Sequence, residues 1–165
     1  MVKTMILAIE CIVICLIFCI AVVGSTVVNK EFWLHCYPLE AQEKYKKEHP
    51  EYMHKSKNIP AILIFYTVCI AVIAALIYLA GARDFITGTR YTFIIWICLM
   101  VADYFGLDFL VFGHWKKIRL PGTEHMNKEY HTNAWQRHNV KKRMIAVIAG
   151  IPLSCICAAI LILIV

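Results

Sequence analysis

Four stretches of about twenty or more residues, each almost free of charge, limit what this chain can fold into. A helix rises about 1.5 Å per residue and a bilayer's hydrocarbon core is about 30 Å thick, so ~20 apolar residues suffice to cross it. The runs fall at about 5–28, 61–80, 91–112 and 144–165. The first carries Glu10 as its only charge, the third carries Asp103 and Asp108, and the second and fourth carry none. With 61% hydrophobic and 17% charged residues, the chain lies outside the balance of a water-soluble domain. The expected fold class is therefore all-α: a polytopic membrane protein, one transmembrane domain over 1–165, built as a four-transmembrane-helix bundle with two helical loops at 29–60 and 113–143. The first run exceeds the roughly 7 to 15 apolar residues of a cleaved signal peptide and is read as a retained helix.

Basic residues set the orientation, because short loops rich in Lys and Arg stay in the cytoplasm. Fourteen of the seventeen lie in the first and third loops, leaving Lys3, Arg83 and Arg90 on the other side. Both loops are expected to be cytoplasmic and both termini extracytoplasmic, in a multi-pass protein of the cell membrane. The net charge of +6 is then this topological signal, and no recognition module accompanies it that would point to nucleic acid. The expected partner is the lipid bilayer, with a second copy or another membrane protein as further candidates. The eight cysteines include no C-x-x-C pair, and Cys11, Cys15 and Cys19 recur on one helix face, a spacing that suits close helix packing better than a soft-metal path.

Within the loops, Leu39–Glu48 reads as a short solvated helix between Pro38 and Pro50, with i,i+4 pairs Glu40/Lys44 and Glu43/Lys47. In the third loop, Pro121-Gly122 marks a turn and Thr123 a helix N-cap, with helix expected from Glu124 onward.

Acids inside a span cost about 2.5–3.5 kcal/mol each near the helix centre, so Asp103, a membrane-buried acid, and Asp108 must face the bundle and find partners. At α-helical pitch, five residues place them about 140° apart, so they are not expected to form a simple same-face pair. Glu10 is expected to pair locally or with Arg90. His114 returns to the Asp103 face at the helix mouth. A third loop folded back over that mouth brings Glu124, His125, Glu129 and His131 toward Asp108 and His114. Mixed carboxylates and imidazoles suit zinc, iron or manganese, so the candidate metal ligands are Asp108, His114, Glu124, His125, Glu129 and His131. Asp108 and Glu124 are the candidate catalytic carboxylates. Without a metal, the same groups form an interfacial network with Trp115, Tyr130 and Trp135 anchoring at the headgroups.

Asp103-Tyr104-Phe105-Gly106-Leu107-Asp108, followed by Pro121-Gly122-Thr123-Glu124 and a histidine at His131 or His138, resembles a family of small bacterial four-helix inner-membrane proteins loosely described as permease-like. The likeness covers the third helix, the third loop and the start of the fourth helix. It implies that Asp108, Glu124 and one downstream histidine are the positions to test, and it carries no activity. Phe109 fits the family's aromatic after the second Asp, whereas Tyr130-His131-Thr132 departs from its aromatic-His-Lys-Gly run. The leading functional expectation is a divalent-metal site at the cytoplasmic mouth acting on a lipid or amphiphile. The rival is a non-enzymatic transporter accessory subunit or an oligomeric channel-like protein.

Overall fold

The computed structural model describes residues 2–50 and 59–164, and side chains for 4–50 and 67–163. His54, Lys55 and Lys57, which the loop reading and the charge count include, lie outside the described residues. All regular structure among the described residues is helical. α1 spans Val2–Val28, α2 Leu39–Glu48, α3 Ile59–Leu79, α4 Phe85–Ala102 and α5 Asn133–Ile164. A π-helical segment, Asp103–His114, continues α4 without a break, and 3-10 turns occupy Lys30–Cys36, Lys116–Ile118 and Glu129–His131.

Among the described residues, three helical stretches are long and apolar enough to cross a membrane: Thr4–Val28, Phe85–His114 and Asn133–Leu163. Their large apolar side chains, among them Ile12, Ile20, Phe105, Leu110, Ile148 and Leu163, are exposed, as lipid-facing surfaces require and water-facing ones do not allow in such numbers. α4 begins six residues before the apolar run at 91, because Asp84 accepts the Thr87 N–H (2.9 Å) and supplies an N-cap. α3 ends in a Schellman motif: Gly81, at φ +88°, donates to Tyr78 O, and Ala82 donates to Ile77 O (both 3.0 Å).

The chain divides into two compact units. One comprises 1–16, 57–100 and 145–165. Here Gly150 is required by a close approach: a Cβ at this position would sit inside the Trp96 indole, whose Nε1 donates to Ala146 O (2.9 Å). Cys11 meets the Cys98 thiol, in keeping with a packing role for that face of α1. Glu10 does not pair with Arg90: its Oε2 is buried with no hydrogen-bond partner.

The other unit, 17–56 with 101–144, holds the aromatic core. Tyr37, Tyr45, Phe112, Tyr130 and Trp135 pack with Leu107, Ile118 and Leu120. α2 is present with the expected bounds, but it is not a solvated cap. Ala41 and Tyr45 are buried in this core, the Tyr45 hydroxyl meets the Glu31 carboxylate, and Lys44 donates to Gly122 O (2.8 Å). Tyr37 donates to Ile118 O (2.6 Å), so the first loop is tied to the third at two points. Tyr130 and Trp135 belong to the core, leaving Trp115 as the exposed aromatic of the expected headgroup anchors. Burial raises the Tyr37 and Tyr130 hydroxyls above the ordinary tyrosine value and pushes the Cys36 thiol up to about 12.

Candidate functional site

The two intramembrane acids share one partner. Arg143, from α5, places Nη1 on Asp103 and donates from Nε (3.1 Å) and Nη2 (2.9 Å) to Asp108 Oδ2. Asp103 and Asp108 are 8% and 3% exposed, so this is a clamp withdrawn from solvent and held by charge-assisted hydrogen bonds. The expected angular separation of the acids is corrected by the backbone: in a π-helix hydrogen bonds run i→i+5, so residues five apart stand on adjoining turns of one face. In the sequence Arg143 reads only as a loop charge; the signal that identifies it is that two costly acids in a span demand a cation on a facing helix.

The third loop does not become helical at Glu124. Leu120–Thr123 is a type II turn, with Gly122 at φ +78° and Thr123 N–H on Leu120 O (3.0 Å). Thr123 is no N-cap: its hydroxyl bonds Leu120 O (2.8 Å) and Tyr130 OH (3.0 Å). Arg119, only 1% exposed, then takes the Glu124 carbonyl (3.0 Å) and Asn127 Oδ1 (2.6 Å) while its guanidinium covers the Tyr130 ring. These bonds tie Glu124 and Asn127 to the buried cation, while the backbone between them runs through turns. α5 starts at Asn133 instead, with Thr132 capping the Trp135 N–H (3.2 Å).

This loop path separates the candidate ligands. Asp108, His114 and His131 line one shallow cleft, together with Tyr104, Phe109, Tyr130, Trp135, Gln136 and Asn139. Glu124, His125 and Glu129 do not line it. His125 Nε2 lies 3.2 Å from Lys44 Nζ, whose ammonium occupies the nitrogen's lone pair. His125 and Glu129 are four apart in sequence, a spacing that would let them share an ion on a helix, but the intervening residues form turns and that relation is absent. Among the described residues, no three His, Cys, Asp or Glu side chains are arranged to hold a metal ion.

What the cleft offers is a mixed surface: aromatic walls, two amides, two imidazoles and one edge of the clamped Asp108. His114 Nδ1 lies 2.7 Å from Phe109 O, and His131 Nδ1 lies 2.7 Å from Asn127 O. The two rings are 4.8 Å apart at 86°. Comparison with family models, with curated proteins and with solved structures gives no match to this chain.

Proposed function

We propose that this chain is a four-span membrane protein whose cytoplasmic-side cleft holds the polar head of an amphiphile, in a binding or accessory role without chemistry on the bound molecule. The observation that carries this reading is the lining of the cleft: Tyr104, Phe109 and Trp135 beside Gln136, Asn139, His114 and His131, at the end of a helix apolar enough to span. Ligand sites in general combine apolar walls with a few polar groups that fix orientation; this recess is shallow, so the reading is that it seats a single polar group of the head and leaves the rest of the amphiphile outside it.

Parity supports the count of four. The first and third loops share hydrogen bonds at Tyr37/Ile118 and Lys44/Gly122, which supports reading them as lying on one side of a bilayer. An even number of crossings then separates them, so if α4 crosses, α3 crosses as well. Its 21 residues, free of charge, are long enough to do so. The concentration of Lys and Arg in these loops supports reading that side as cytoplasmic.

A metal-dependent reaction on the amphiphile would require Asp108 to act as a base while its Oδ2 is held by Arg143, and Glu124 to reach a cleft it does not line. The clamp therefore favours binding over catalysis. Native mass spectrometry of the chain extracted in mild detergent, with lipids of defined headgroup titrated in, tests the proposal. One amphiphile per chain is expected to be retained, with retention falling at least several-fold in the double variant Phe109→Ala/Gln136→Ala. Retention that ignores headgroup and survives both substitutions would sink the reading.

A further inference from the structure

His114 and His131 have a property that headgroup binding does not use. A carbonyl oxygen only accepts hydrogen bonds, so each Nδ1, 2.7 Å from a backbone carbonyl, carries the ring proton. In the neutral ring each Nε2 is then left with its lone pair. A backbone carbonyl on Nδ1–H is also the usual means by which proteins fix the orientation of a metal-binding imidazole.

The rings come from different elements, the end of the π segment and the 3-10 turn Glu129–His131, and both are exposed within the same cleft. With metal–nitrogen bonds of about 2.0–2.1 Å, two imidazoles on one ion at roughly 100° place their ring centroids roughly 5 Å apart. The observed separation is 4.8 Å. Two neutral nitrogen donors suit zinc, copper(II) or nickel rather than magnesium or calcium, which take oxygen.

We propose that His114 and His131 form a two-imidazole site for a divalent transition-metal ion, bound through both Nε2 atoms with solvent oxygen at the remaining positions. Two protein donors make an exchangeable site rather than a structural one, consistent with the absence of any three-donor group among the described residues. The site does not depend on an amphiphile being bound, so it stands or falls separately from the headgroup reading.

The full chain, purified in detergent without a polyhistidine tag and stripped with chelator, would be titrated with zinc chloride alone by isothermal calorimetry. One zinc per chain is expected, with affinity falling at least tenfold in His114→Gln and in His131→Gln and unchanged in His125→Gln. Copper(II) loaded on the unsubstituted chain gives a second readout, independent of any folding defect: electron paramagnetic resonance should show hyperfine coupling to two imidazole nitrogens. Absence of saturable zinc binding, equal binding by the His114→Gln/His131→Gln double variant, or a copper spectrum without two nitrogen ligands would each overturn the proposal.

Discussion

Arg143 has the clearest energetic role of any single residue. It sits one position before the apolar run that begins at Met144, where it reads as one more basic loop residue, yet it neutralises charge on both Asp103 and Asp108. That acids in a span need a partner was legible in the sequence; which partner was not, because the pairing depends on how α5 meets the π segment. Breaking a buried ion pair from one side leaves the other charge uncompensated, at a cost of about 3–5 kcal/mol. Arg143→Ala is expected to lower stability by that amount in denaturant titrations in mixed micelles. The triple variant Arg143→Met/Asp103→Asn/Asp108→Asn should recover most of it, since no charge is then left unpaired. A second expectation concerns Cys36. Its folded-state pKa is raised from 9.0 to about 12 by burial, so its contribution to stability is intact below about pH 9 and is lost as the pH rises toward 12. Alkylation followed by mass spectrometry should find Cys36 unreactive at pH 8 in the folded chain, and Cys36→Ala should flatten the alkaline loss of stability.

At the scale of elements, apolar run length marked the apolar parts of the long helices and the prolines bounded α2, since these signals are local, but the starts of α4 and α5 lie outside the apolar runs. The π segment and the path of the third loop were not legible, because each rests on contacts made far along the chain. Helical spacing assumes an α pitch, and only the π backbone brings Asp103 and Asp108 to one face. The segment after Gly122 has residues able to form a helix, but its backbone runs through turns tied to the buried Arg119, and no local preference records that. Half of the six expected ligands reach one cleft for this reason, and the rest are carried away by the turns. The Pro121-Gly122 turn can be tested directly. Gly122 needs a positive φ, and a Cβ there would come within 2.7 Å of Glu48 Oε2 on α2. Gly122→Ala is expected to cost about 1–2 kcal/mol from the left-handed backbone alone. Gly122→Asn should cost less, because asparagine tolerates that conformation. Equal losses in the same denaturant assay would place the defect in the contact with Glu48 rather than in the backbone.

For the whole molecule, the sequence separates lipid-facing helices from basic loops, but it does not by itself join the two loops to each other. The hydrogen bonds from Tyr37 to Ile118 and from Lys44 to Gly122 do so, and they turn a count of apolar runs into a constraint on topology. If the two loops lie on one side, the residues before α1 and those after α5 each lie one crossing away from it and must share the opposite side. With three crossings they would lie on opposite sides, and α2 could not reach the Pro121-Gly122 turn without passing through the bilayer. Short epitope tags placed before Met1 and after Val165, in separate fusions, distinguish the two arrangements. On intact spheroplasts both tags are expected to bind antibody without permeabilisation, while a tag inserted between Lys116 and Lys117 should bind only after it. Exposure of one terminal tag together with the tag at Lys116/Lys117 would remove α3 from the membrane and put the two loops on opposite sides, against the hydrogen bonds that join them.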